Sequence, residues 1–118
     1  MSQQVGLIAE QQARNYLVSK GLRWITSNYR SRWGEIDLIM GDGKTLVFVE
    51  VRARVSAEYG GAVGSITAQK QRKIIKTATH YLTTKNLYNT CNGRFDVISI
   101  QGTTSQIEWI KNAFGLDY

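Results

Sequence analysis

Three acidic residues, Glu35, Asp37 and Glu50, stand in segments whose other residues are those of a buried sheet. Val47, Val49 and Val51 fall on one side of an extended segment and Phe48, Glu50, Arg52 and Arg54 on the other, because side chains alternate along a strand. In the segment before it, Ile36, Leu38 and Met40 share one side and Glu35, Asp37 and Ile39 the other. Gly41-Asp42-Gly43-Lys44 lies between the two, and its Asp-Gly pair is a strong hairpin signal. A two-residue loop, or an even extension of it, sets residue 37 opposite 48 and 35 opposite 50. Asp37 and Glu50 are then diagonal neighbours, roughly 7–8 Å apart at Cα. An odd loop would put them on opposite faces. Like charges so placed destabilise a sheet unless something offsets them. A hard divalent cation does so: Mg²⁺ takes oxygen ligands, often one or two carboxylates, and keeps waters that can be activated or can bind a phosphate. Pairing with Arg52, Arg54 or Arg30 in a structural salt-bridge cluster does so equally well.

The elements that must position these groups can be read from periodicity. Val5, Ala9, Ala13, Tyr16 and Leu17 form one helical stripe from Gln3 to Lys20, and Gly21 follows as a stop. Leu22 to Tyr29 reads as a first strand, Glu35 to Met40 and Thr45 to Arg54 as a hairpin. Residues 55–64, with Gly60, Gly61 and Gly64, read as a flexible loop, and its Tyr59 either rides in a groove or belongs to a mobile connector. Ile74, Ile75, Ala78, Tyr81 and Leu82 mark a second helix from about Thr67 to Lys85. Phe95 to Ile100 and Gln106 to Ile110 make a last strand pair around Gly102-Thr103-Thr104. The fold class is α/β, in the order α-β-β-β-α-β-β: a mixed sheet with helices packed on it.

A chain of 118 residues is the size of one domain, 1–118, and too short for a two-domain enzyme. Fifteen Lys and Arg against nine Asp and Glu give a net charge of +6, an attractive field for polyanions, of which nucleic acid is the commonest. One cysteine, Cys91, cannot form an internal disulfide. The absence of a membrane-length apolar run and of a signal-peptide pattern leads to the expectation of a cytoplasmic protein with no membrane partner.

Four of the cations, Lys70, Arg72, Lys73 and Lys76, crowd the first turns of the second helix, where the macrodipole disfavours each by roughly 0.3–1 kcal/mol. An anion docking at that helix end would account for them, and so would a solvated basic face. Lys70 continues the inward stripe one turn before Ile74 and aims at the acids, while Arg72, Lys73 and Lys76 fit backbone phosphates. Other signals fail. Gly43-Lys44-Thr45 imitates the end of a Walker A loop, but position 38 is Leu where that loop needs Gly. His80 and Cys91 stand alone, which leaves no zinc set. Asp96 reads as a structural cap or salt bridge before it reads as a further ligand, and Trp24, Trp33 and Trp109 as core or interface residues.

Gly34-Glu35-Ile36-Asp37-Leu38-Ile39, Val47-Phe48-Val49-Glu50-Val51-Arg52-Ala53-Arg54, Arg94-Phe95-Asp96-Val97 and Glu108-Trp109-Ile110-Lys111-Asn112-Ala113-Phe114 together resemble the YraN-like family of bacterial proteins across nearly the whole chain. That family is similar to the PD-(D/E)XK nucleases and, among them, to archaeal Holliday-junction resolvases. The resemblance implies a restriction-endonuclease-like fold and cleavage of DNA phosphodiesters, branched DNA included, with Mg²⁺ or Mn²⁺ held by Asp37 and Glu50. It adds Glu10 from the first helix as a catalytic carboxylate, implies a homodimer, and puts Arg52 where the superfamily carries Lys. Arg stays charged and offers fixed donors, whereas Lys can position or deprotonate a water. Asp37, Glu50, Glu10 and Arg52 form the expected catalytic set, and Arg54, Lys70, Arg72, Lys73 and Lys76 the expected nucleic-acid contacts. A nucleic-acid-binding module of the same fold with little catalysis, and a structural partner protein whose acids are only salt-bridged, are the alternatives.

Overall fold

A computed structural model describes residues 3–54, 64–102 and 106–115, with side chains from Gly6 onward in the first helix. The side chain of Val5, the Gly60-Gly61 loop with Tyr59, and Thr103-Thr104 lie outside what is described. The elements are α1 (Gln3–Ser19), β1 (Arg23–Ser31), β2 (Gly34–Asp42), β3 (Thr45–Arg54), α2 (Ala68–Thr84), β4 (Asn92–Gln101) and β5 (Ile107–Phe114). This is the expected order, a mixed sheet of five strands with two helices. The sheet runs β1-β2-β3-β4-β5. β1, β2 and β3 form an antiparallel meander, β3 and β4 pair in parallel, and β5 returns antiparallel on β4. A parallel neighbour needs a crossover, and α2 lies on that path.

The helices cover opposite faces. Ala9, Ala13 and Leu17 of α1 pack with Leu38, Met40, Val47, Val49, Val51 and Ile98. Ile74, Ala78 and Tyr81 of α2 pack with Ile36, Ile39, Phe48 and Val97. Strands buried on both sides read as near-continuous apolar runs, as Leu46 to Val49 do, and each large side chain so buried contributes about 1.5–3 kcal/mol. Ile36 departs from the simple alternation: it joins Ile39 on the α2 side and not Leu38 and Met40 on the α1 side.

α2 begins and ends where its sequence dictates. Thr67 is the N-cap and accepts from Lys70 N at 3.1 Å, and Lys85 is the C-cap. The β2–β3 turn is a two-residue loop, but it sits one residue later than the expected register needs. Asp42 pairs with Thr45, so the loop is Gly43-Lys44, with Gly43 at φ +61°, a backbone that a two-residue hairpin turn requires. The ladder then pairs Ile39 with Phe48 and Leu38 with Val49, where the sequence reading set residue 37 against 48. The paired rungs stop there, and the Asp37 and Glu50 side chains still meet, sharing a hydrogen bond.

The last strand reaches further than its apolar pattern suggests, to Phe114, because a bulge lets it continue. Between Phe95↔Phe114 and Val97↔Ile110 the register shifts, with Asn112 left-handed at φ 52°. Asp96 fills the gap. It is fully buried, accepts from Asn112 N at 3.0 Å and from Trp109 Nε1 at 2.9 Å, and is held in a forked pair by Arg94 at 2.9 and 3.0 Å. Arg94 also reaches Asp42 at 3.1 Å. Asp96 is therefore the structural salt bridge, and its acceptor sites are filled by the protein.

Candidate active site

The paired rungs of β2 and β3 end at Leu38 and Val49. Beyond that point the side chain of Asp37 takes over, and its Oδ2 accepts from the backbone N–H of Val51 at 2.8 Å. An open fork between two strands results, with Asp37 on one prong and Glu50 on the other. β1 is irregular at the same level: Asn28, which stands across from Asp37 between the pairs Ser27↔Leu38 and Tyr29↔Ile36, is left-handed at φ 55°.

Glu50 is 6% exposed and carries two cations. Lys70 Nζ from α2 lies 2.8 Å from its Oε2, and Arg52 from its own strand lies at 3.4 Å. Lys70 thus reaches the acids across the helix–sheet boundary, from the inward stripe on which its spacing puts it. Arg52 Nε is buried without a hydrogen-bond partner among the described residues, so the guanidinium has donor capacity left over. Asp37 has no ion-pair partner among the described residues. Burial, first, and then the nearby Glu50 charge raise its carboxyl to about 8, against the opposing pull of the Val51 N–H; a hydrogen bond with Glu50 and the charge of Glu10 add to the rise. Glu10 leans in from α1. Its carboxyl is also raised, mainly by burial, with the charges of Glu35 and Glu50 adding and a side-chain hydrogen bond with Asn28 opposing.

The geometry therefore gathers Asp37, Glu50 and Glu10 into one electrostatic neighbourhood, with Lys70 and Arg52 at its rim. Glu35 is drawn off by Arg30 at 3.5 Å on the surface. Among the described residues no three Asp, Glu, His or Cys side chains stand close enough together to form a ligand cage by themselves. Mg²⁺ does not need one, since one or two carboxylates with waters and a phosphate complete its shell. The Asp37–Glu50 pair suits such an ion: two oxygen donors share a site in which burial, and then the charge of Glu50, hold Asp37 far above its usual carboxylate range.

The remaining candidates scatter. Arg72, Lys73 and Lys76 are exposed on α2, while Arg54 is only 7% exposed, so its guanidinium is enclosed by the protein instead of offered to a phosphate backbone. Sequence reasoning missed Asn28. A lone Asn in a strand has no spacing signal; its relevance comes from its left-handed backbone beside Asp37 and its hydrogen bond with Glu10.

A model of the family described as "Uncharacterised protein family UPF0102" matches residues 9–100. The chain is 50% identical over 114 residues to a UPF0102 protein of Legionella pneumophila strain Philadelphia 1, covering 97% of each. It is 52% identical over 109 residues to one from Psychromonas ingrahamii, covering 92% of this chain and 88% of the relative. With the UPF0102 protein YraN of Escherichia coli SMS-3-5 it shares 50% identity over 114 residues, 96% of this chain and 86% of the relative.

Proposed function

The chain belongs to the UPF0102 family, in which the YraN-like resemblance placed it, and from that membership and the fork between β2 and β3 we propose a metal-dependent nuclease acting on DNA phosphodiesters, branched DNA among them. The observation that carries this reading is the Asp37–Glu50 pair, two carboxylates at the diverging ends of adjoining strands, one of them without a cationic partner. Asp37 and Glu50 would hold Mg²⁺ or Mn²⁺. Bound there, the ion would polarise a phosphoryl oxygen and lower the pKa of a water.

The chain's own groups supply the rest. The Lys70 ammonium and the Arg52 guanidinium flank Glu50 and present fixed positive charge where a scissile phosphate would build negative charge. Glu10, with its carboxyl raised above the usual range mainly by burial, stands beside the pair as a third carboxylate that can exchange a proton with a water. The Val51 N–H fixes the Asp37 carboxylate through Oδ2, and the carboxyl also shares a hydrogen bond with Glu50.

A second reading rests on Arg52. With Arg in the place of the superfamily's Lys, the same fold and basic helix serve a nucleic-acid-binding module with little catalysis. The test is purified protein with labelled duplex, single-stranded and four-way-junction DNA in Mg²⁺, Mn²⁺ or EDTA. Metal-dependent cleavage that is lost in Asp37→Ala supports the nuclease. Salt-sensitive retention without cleavage supports the binding module, and neither would overturn both.

A further inference from the structure

One helical row of α2 runs from Glu50 of β3 to the β1–β2 end. Lys70 contacts Glu50, the Cβ of Lys73 lies 3.9 Å from the position a Cβ on Gly34 would take, Thr77 Oγ1 shares a hydrogen bond with Ser31 Oγ at 3.0 Å, and His80 Nδ1 shares one with Tyr29 OH at 2.6 Å. These positions recur at helical spacing, so the row is a seam that fixes the turn Arg32-Trp33 against the helix. The turn is held further by the Trp33 N–H, which donates to Ser31 Oγ at 3.1 Å. The Trp33 ring stands edge-on to His80 at 6.0 Å, with the Arg32 guanidinium 4.5 Å over its face.

One row further out, Arg72 and Lys76 lie at i and i+4. Like charges at that spacing repel, and neither they nor Lys73 make an ion pair among the described residues. Neither β1 nor α2 contains an acidic residue. Glu35, already paired with Arg30, is the one acid at this end of β2 outside the fork. The surface is thus a cationic track that starts at Lys70, beside the acids, and ends at a fixed indole. Duplex DNA offers phosphates to such a track but keeps its bases stacked inside. An unpaired strand offers both phosphates and a free base face, and aromatic side chains beside a basic groove are what bind it.

We propose that the face shared by α2 and the β1–β2 turn docks an unpaired nucleic-acid strand, with phosphates on Arg72, Lys73 and Lys76 and one base on Trp33. This rests on the nuclease reading in that the track leads to the Asp37–Glu50 fork, and it names the substrate feature the site selects: a single-stranded segment, as found at a branch or a tail. A base on Trp33 takes the place of the Arg32 guanidinium, which is released to a phosphate.

The experiment is anisotropy titration of the full chain in EDTA, with a labelled single-stranded oligonucleotide and a blunt duplex of the same sequence. The native chain binds the single strand more tightly. Trp33→Ala loses roughly tenfold on the single strand and little on the duplex, and Trp33→Phe retains most of the affinity, as stacking requires. Lys73→Gln with Lys76→Gln lowers the salt slope on the single strand by roughly 1.4, for two lost phosphate contacts. Equal binding of both nucleic acids, an unaltered Trp33→Ala, or an unaltered slope overturns the proposal. If Trp33→Ala fails to fold by circular dichroism, the two exposed lysines and the loss of indole quenching in Trp33→Phe decide it. Because docking is read without metal, a chain that docks the strand here but does not cut it once Mg²⁺ or Mn²⁺ is supplied removes the nuclease reading and leaves this surface standing.

Discussion

The Val51 N–H donates to Asp37 Oδ2 at 2.8 Å, so a side chain continues the ladder between β2 and β3 where the backbone leaves it. That one bond fixes an acid at the mouth of the fork and leaves Glu50 facing it. Without a cation, the pair is a liability to the fold.

Asp37→Asn should stabilise the metal-free protein at neutral and alkaline pH. With the Asp37 carboxyl raised to about 8 in the folded chain, the folded state binds more protons than the unfolded one between the ordinary carboxylate range and about pH 8. Stability of the native chain must then fall as pH rises through that window. The variant should flatten the slope and gain on the order of 2 kcal/mol at pH 8. Urea unfolding at pH 5, 7 and 9 measures it, and an equal slope in both proteins would count against the shared burial of Asp37 and Glu50.

Arg52→Lys should raise metal-dependent cleavage by about tenfold or more if the nuclease reading holds, since Lys can position a water and give up a proton where Arg cannot. Rates on labelled junction DNA decide. A variant no faster than the native chain would leave the guanidinium as the group suited to the phosphate.

Asp96→Ala removes a fully buried carboxylate with four donors aimed at it, so Arg94, Trp109 Nε1 and Asn112 N lose their acceptor together. The loss should be about 3–5 kcal/mol, the cost of breaking a buried charged pair from one side. Chemical denaturation checks it, and because the cluster lies outside the fork, nucleic-acid affinity of the folded fraction should not change.

Thr67→Ala should cost about 1 kcal/mol through the lost N-cap of α2, while Thr67→Ser should keep most of the stability. The melting temperatures of the two variants, compared side by side, test this.

The extent to which the sequence disclosed this arrangement varies with the range of the interaction. The hairpin from Gly34 to Arg54 and the α2 stripe were legible because alternation and 3.6-residue spacing are local, and so was the inward aim of Lys70. The register was misjudged because Gly41-Asp42-Gly43-Lys44 offers two places for a two-residue turn, and the chain turns at Gly43-Lys44, where Gly43 takes φ +61°. Parity survives that slip, which is why Asp37 and Glu50 still meet. The far end of β5 was hidden by its bulge, since an inserted residue erases alternation at Asn112. Arg54 looks like a surface cation from its strand position, yet the fold encloses it. Tyr29, Ser31 and Trp33 carry no pattern of their own and acquire meaning through partners on α2 more than forty residues away in the chain.

The parallel pairing of β3 with β4 also bears on how the chain assembles. β1, β2 and β3 can zip up from neighbouring turns, but Thr45 must wait for Asn92 and Glu50 for Val97 before β3 has its second neighbour. Contacts of that sequence separation are slow to close. The acid-bearing strand therefore spends the early part of folding as an exposed edge, and the charge of Glu50 on that strand disfavours its pairing with another chain.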